Sequence, residues 1–237
     1  PQATRTQKPI YKGQNPLQGT YIRQYEGDYK CDEVAVNKML AEKVEDSRDS
    51  KVLKNFGFDD IDISTFYAYR NIFKSHKPDD ARNALNDIDF LKNIGAYKTD
   101  RESGITGLTV AGLLMFGKSI SIEDALPNYN LDYQERPRAV TEQRWIDRLT
   151  IDGSWSGNVF DFYRIVINKL FANIKVPFKL EGDKRKDDTP VHHAIREALI
   201  NTLVHADFTD RISVLIVKRP DMFGFRNPGN MRIPIEV

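Results

Sequence analysis

From Asn130 onward the hydrophobic pattern alternates between strand-like and helix-like stretches, and that order admits few folds. Asn130–Gln134 and Arg144–Ile151 read as strands. Gly157-Asn158 opens a strongly amphipathic helix with Val159, Phe162, Tyr163, Val166 and Leu170 on one face. Pro177–Leu180 is extended, Glu181–Pro190 is a charged loop, and a second helix covers about Val191–Ala206. Ile212–Lys218 and Phe223–Arg226 are strands around a turn at Pro220-Asp221. Each such helix has one apolar stripe and each such strand one apolar face, so residues 128–237 are expected to bury helices on a sheet.

The first half reads differently. Gly13, Asn15, Pro16 and Gly19 punctuate an extended segment, and Thr20–Arg23 alternates as a strand does. Asp32 is placed to cap a helix bearing Val36, Met39, Leu40 and Val44. Ser64 is the expected cap of a helix that lines up Phe66, Tyr69 and Phe73. After Pro78 a second helix through Ala81, Ala84, Leu85, Ile88 and Leu91 is expected to stop at Gly95. Lys98–Gly107 is a polar hairpin and Thr109–Gly117 an apolar helix; Ser121–Asp124 opens a further short helix that Pro127 ends. Helix, helix, hairpin and helix suit a winged-helix-like region over 46–127, or a small bundle. The fold class is therefore α+β, with divisions expected at 1–45, 46–127 and 128–237.

Charge excludes little globally: 35 Lys and Arg against 34 Asp and Glu leave +1. Locally the charges separate. Residues 32–62 hold nine acids and five bases (net −4), whereas 164–186 hold seven bases and two acids (net +5). Residues 1–30 hold five bases and two acids, with Tyr21, Tyr25 and Tyr29 among Arg23 and Lys30. That mixture suits nucleic-acid contact, or equally a strand with exposed aromatics. The lone Cys31 rules out an internal disulfide framework and fits a reducing cytoplasm. No apolar run approaches the ~18 residues of a membrane helix. An opening without Met and a close on Arg-Ile-Pro-Ile-Glu-Val lead us to expect an internal piece of a longer protein.

Three motifs could carry chemistry. Gly112-Leu-Leu-Met-Phe-Gly117-Lys118-Ser119 matches the phosphate-cradling pattern G-x-x-x-x-G-K-[ST], in which backbone N–H groups, a Lys and a Ser serve phosphates and Mg²⁺. Its four large apolar residues fit a helix end better than a loop around a charged ligand. In the helix at 191–206, Glu197, Asn201 and His205 recur every fourth residue and stack on one face, with Ile195, Leu199, Thr202 and Leu203 opposite. Asn is a neutral oxygen ligand suited to Mg²⁺, and Glu can orient or deprotonate water. A solvated helix face has the same residues. The histidines do not form a zinc set, because His193 and His205 lie roughly 18 Å apart along a helix. Asn227-Pro228-Gly229 reads by itself as a turn.

Taken together, R-E-A-L-I-N-T-L-V-H-A-D-F, the two strands after it and F-R-N-P-G resemble a known family. The pattern is similar to the degenerate GHKL (Bergerat-fold) ATPase module that follows a Schlafen/AlbA-like DNA-binding module in bacterial transcriptional regulators and helicase-related proteins. G-T-Y-I-R-Q-Y-E-G-D-Y at 19–29, L-T-V-A-G-L-L-M-F-G-K at 108–118, W-S-G-N-V-F-D-F-Y at 155–163 and V-P-F-K-L at 176–180 agree with it. The resemblance implies that residues 1–45 are the end of the Schlafen/AlbA-like module and 128–237 an incomplete Bergerat-type sandwich. It implies that Glu197 activates water, that Asn201 coordinates Mg²⁺, and that Asn227 and Gly229 stand where the family reads adenine. There the family carries Asp; Asn accepts only through its carbonyl oxygen.

The expectation is a DNA-binding transcriptional regulator with an ATP-binding-like module. The resemblance places the second glycine box and the phosphate lid beyond residue 237. ATP and Mg²⁺ are thus the cofactors of a full-length protein, with none expected bound here and turnover negligible. The alternatives are an active Mg-ATP-hydrolysing enzyme in the full-length protein, a nucleotide binder through Lys118, and a non-catalytic dimerisation scaffold. DNA and a homodimer are the partners expected; a membrane is not.

Overall fold

The computed structural model describes residues 8–24, 27–42, 48–138, 145–172, 174, 180–181, 184–185 and 189–229. Tyr25, most of 173–188 and the tail from Asn230 lie outside them. The chain divides into two compact units, one taking in the residues up to Arg48 and the other running from Asp49 to Gly229.

In the first unit Asn15 caps a single helical turn, α1 (Pro16–Gly19), by accepting from Leu17 N. A hairpin follows, β1 (Tyr21–Gln24) on β2 (Gly27–Lys30), with Tyr21 opposite Lys30 and Ile22 opposite Tyr29. Asp32 Oδ1 accepts from Ala35 N at 2.6 Å and starts α2 (Glu33–Glu42), as its position before an apolar stripe predicts. Val36 is its buried anchor.

The first α-helix of the second unit is α3 (Ile63–His76). Asp62, not the expected Ser64, caps it: Asp62 Oδ1 accepts from Thr65 N at 2.9 Å, and the Ser64 hydroxyl merely donates to the same carboxylate. The helix expected over 81–94 is broken in two. Ala81–Ala84 is a 3₁₀ turn, Leu85 leaves it in extended conformation, and Asn86 caps α4 (Asp87–Asn93) afresh. Gly95 ends α4 as expected, at φ +80°, with Ala96 N donating to Leu91 O and Gly95 N to Lys92 O. The polar hairpin is β3 (Tyr97–Thr99) on β4 (Thr106–Leu108), followed by α5 (Val110–Phe116) and α6 (Ser119–Ala125). Leu53 N donates to Leu108 O and Val110 N to Lys51 O, which adds the chain at 51–53 to that hairpin's edge.

A four-stranded sheet completes the unit, in the order β10, β9, β5, β6. β5 (Leu131–Glu135) pairs antiparallel with β6 (Asp147–Leu149) and parallel with β9 (Val214–Lys218), and β9 turns back into β10 (Phe223–Arg226). α7 (Val159–Phe171) and α8 (Pro190–Val204) precede β9; between them the pair β7 (Leu180–Glu181) and β8 (Lys184–Arg185) closes a small hairpin. Leu131, Tyr133, Val214 and Ile216 are buried with Phe162, Val166, Leu170, Ile195 and Leu199 of the two helices.

The helical stretch and the sheet stretch share one core. Phe116 meets Phe66 and Tyr69 edge-on, and Tyr69 meets Phe160 of α7 at 5.4 Å. Asn158, the buried cap of α7, accepts from Asp161 N and donates to Thr65 Oγ1 at 3.1 Å; the Thr65 hydroxyl donates to Asp161 Oδ2 at 2.5 Å. The structure is α+β with helices layered on one face of a sheet. No described helix is long and apolar enough to cross a membrane.

Candidate functional site

α8 is built to show a polar line. Pro190 stands at its first turn, Thr189 and His192 form the capping pair, and His192 packs edge-on against Phe171 of α7 at 4.6 Å. Ile195, Leu199, Thr202 and Leu203 are buried, whereas Glu197, Asn201 and His205 are exposed. Helical advance of about 100° per residue decides where that line faces. Asn201 falls on the flank of Ala194 and Ala198, while His192, Leu199 and Leu203 fall on the α7 side. Ala194 and Ala198 line an open apolar groove of about 420 Å³ with Val191, Ile195, Phe223 and Phe225, between α8 and the edge strand β10. Asn201 is therefore next to the groove-lining flank, Glu197 is on the side of Asn201 away from the groove, and neither is covered by α7.

Asn201 Nδ2 donates to Glu197 Oε1 at 2.9 Å. A carboxylate only accepts, so the amide must turn its nitrogen to Glu197 and leave its Oδ1 for another partner. An outward amide oxygen beside a carboxylate suits a hard cation such as Mg²⁺, which takes one or two protein oxygens and fills its remaining positions from water and phosphate. Among the described residues no group of three or more His, Cys, Asp or Glu side chains could hold a metal ion by itself.

The chain brings Asn227-Pro228-Gly229 to the end of this helix. His205 closes α8, its N–H donating to Asn201 O. Asp207 N then donates to Pro228 O at 3.0 Å. Asp207 Oδ1 accepts from Thr209 N at 3.2 Å and Thr209 Oγ1 at 2.5 Å, which folds the turn after the helix. Gly229 sits at φ +112°, and a Cβ there would lie 3.3 Å from that of Asp207. Backbone of this hand and closeness calls for glycine. The Asn227–Gly229 turn is thus tied to the residues that follow α8, while Asn201 lies in the last turn of the helix and Glu197 one turn back.

The Gly112–Ser119 segment has a different fate. Gly112 to Phe116 are helical, and a Cβ on Gly112 would meet Ala96 O at 2.1 Å. The N–H groups that a phosphate loop would turn outward are engaged: Gly112 N with Thr109 Oγ1, Leu113 N with Thr109 O, Gly117 N with Leu113 O and Lys118 N with Asp60 O. Lys118 Nζ donates to Asp59 O at 2.7 Å. These residues build a helix and its stop, not a loop open to phosphates.

With that geometry in place, the likenesses to known proteins are narrow. A family described as a domain of unknown function (DUF8451) matches residues 37–132, a stretch that ends before α8 and the Asn227–Gly229 turn. No curated protein matches the chain. It is similar to a solved structure, that of the DIP2311 protein from Corynebacterium diphtheriae, with a TM-score of 0.56 and 18% identity over 90% of this chain. The chain spans 39% of that protein's length. At such identity the likeness concerns the fold alone.

Two groups escaped the sequence reading, one at the end of α8 and one on the opposite face of the sheet. Asp207 was legible only as part of a turn, because its tie to Pro228 runs through a backbone N–H that any residue but proline supplies. Asp132 and Gln134 of β5 and Arg136 just after it alternate, and that period of two marks a polar sheet face.

Proposed function

We propose that the stretch from residue 128 onward belongs to a nucleotide-binding module of GHKL type within a cytoplasmic, DNA-binding transcriptional regulator, and that this chain turns ATP over negligibly. The observation that carries the reading is the hydrogen bond to Glu197 from Asn201, which lies next to an open groove, with the Asn227–Gly229 turn tied to the residues that follow the same helix. In this reading Asn201 Oδ1 holds Mg²⁺, which would neutralise phosphate charge. Glu197 keeps Asn201 turned and orients a water, while Asn227 and Gly229 meet the base.

The engaged backbone around Lys118 favours this location over a phosphate loop. A homodimer and the DNA partner belong to the same proposal; the basic stretch at 164–186 and the tyrosine-bearing hairpin supply its charge argument. The affinity expected of residues 1–237 is millimolar or weaker, roughly 4 kcal/mol of binding free energy. Amide chemical-shift mapping reads binding that weak. Millimolar Mg-ATP should move the resonances of Asn201, Asn227 and Gly229, and Asn201→Ala should abolish those shifts in a protein with unchanged melting. Shifts confined to Gly112–Ser119, or none at all, refute the reading, and micromolar affinity by titration calorimetry refutes its weak-site part.

A further inference from the structure

The two faces of the four-stranded sheet differ in kind. Leu131, Tyr133, Val214 and Ile216 point into the core under α7 and α8. The alternate residues point the other way, and Leu215 and Val217 among them are only partly buried and stay out of the core. On this outer face Asp132 is the one carboxylate the four strands supply, and it is 8% exposed. Its oxygens accept from Arg148 Nε and Nη2, both at 3.1 Å, and from Gln134 Nε2 at 2.6 Å. Gln134 Oε1 accepts in turn from Arg136 Nε at 2.9 Å and Nη2 at 2.5 Å.

A buried carboxylate and a buried amide thus hold two guanidinium groups in fixed orientation at the surface. Arg226 adds a third. It lies opposite Leu215, which lies opposite Asp132, so its backbone stands two strand spacings, about 10 Å, from that of Asp132, the carboxylate that holds Arg148. Among the described residues, Arg136, Arg148 and Arg226 set three guanidiniums against the one Asp132 carboxylate, a net +2 for this group. Trp145, 47% exposed, stands against Arg148, whose guanidinium carbon is 4.5 Å from its ring centroid.

We propose that this outer sheet face, through Arg136, Arg148, Arg226 and Trp145, binds a single strand of nucleic acid. Guanidinium groups fork onto phosphate oxygens, and orienting them beforehand reduces the ordering left to binding. About 10 Å covers roughly three nucleotides at the 3.4 Å per nucleotide of one strand. An acidic peptide would satisfy the arginines equally; the exposed indole beside them favours a strand whose bases can stack. The inference rests on the nucleic-acid part of the proposed function and is independent of the nucleotide site.

Fluorescence polarisation with a labelled 20-nucleotide oligo(dT), across a salt series, tests it on residues 1–237. The expected result is salt-dependent binding that Arg136→Ala with Arg226→Ala weakens roughly tenfold, reducing the slope of log K against log salt by about 1.4. Trp145→Ala should weaken binding several-fold with the slope unchanged. Arg148 is left in place so that Asp132 keeps its partner, and thermal melting checks the fold of each variant. Binding that ignores these substitutions overturns the proposal for this face while leaving DNA contact elsewhere intact. No binding at low salt overturns both. A poly-glutamate competitor as effective as unlabelled oligo(dT), with Trp145→Ala neutral, also overturns it.

Discussion

Gly112–Ser119 and Pro190–Gly229 each carry residues that phosphate sites use, in opposite surroundings. In the first, the glycines permit close packing: Gly112 lies against the Ala96 carbonyl, Phe116 inserts among Phe66, Tyr69 and Phe160, and Lys118 ties down Asp59. In the second, the apolar residues of α8 complete the core while Glu197 and Asn201 remain exposed, Asn201 next to a groove. A motif written in residue types cannot tell these cases apart. Where the backbone N–H groups go does tell them apart.

The contrast predicts that substitutions at Gly112 and Phe116 cost stability and that one in the polar line of α8, at Asn201, does not. The largest effect is expected at Phe116, 2% exposed and ringed by aromatic partners. Phe116→Ala should destabilise the protein by about 3–5 kcal/mol, read by urea unfolding. Gly112→Ala comes next, at about 1–3 kcal/mol, because the new methyl must displace backbone and not a flexible side-chain tip. A Gly112→Ala protein as stable as the parent would mean that α5 does not press on Ala96, and would reopen the segment to a ligand.

A smaller effect is expected where α3 begins, in the elements packed on that segment. Burial pushes the Asp62 carboxyl up, but hydrogen bonds from the Ser64 hydroxyl and the Thr65 N–H outweigh it and hold the group below its ordinary 3.8. A carboxyl depressed in the folded state contributes stability in full above the ordinary value, and that contribution is lost as the pH falls through the lower folded value. Asp62→Ala should therefore cost about 1 kcal/mol at neutral pH. The gap between parent and variant should close in acid, below about 3.8. A gap unchanged at pH 2.5 would show that Asp62 acts through packing and not as a charged cap.

The sequence made the layers legible because they rest on periodicity. The apolar stripe of α7 and the runs at Val214–Lys218 and Phe223–Arg226 leave little freedom, and the strands and helices lie within a few residues of where the pattern puts them. Ser64 and Asp62 are both good caps, and which of them serves depends on a two-residue shift of the helix start. The break at Leu85–Asn86 was hidden because Ala81, Ala84, Leu85 and Ile88 keep helical spacing, whereas Asp80 and Asn86 each cap a separate turn. The Glu197–Asn201 pair could be read from its spacing of four. Its position beside β10 could not, since that depends on which flank of α8 meets α7, a long-range contact made by His192 and Phe171.

The smallest effect on stability, and the sharpest on the comparison, belongs to Asn201. Its side chain is exposed and its one described side-chain bond, to Glu197, is a surface bond, so Asn201→Ala should change stability by no more than about 0.5 kcal/mol. The same substitution removes the outward amide oxygen and should abolish the Mg-ATP-dependent shifts at Asn227 and Gly229. Lys118→Ala is its counterpart. It removes a tether to Asp59 and should leave the nucleotide response untouched. Measuring both variants under one protocol separates the regions, because a phosphate site at Gly112–Ser119 requires the reverse: an unresponsive Lys118→Ala protein and a responsive Asn201→Ala protein. Asp207→Asn gives the intermediate case. It keeps the oxygen that accepts from Thr209 and the N–H that holds Pro228, so the turn after α8 should persist, checked by unchanged amide shifts at Thr209.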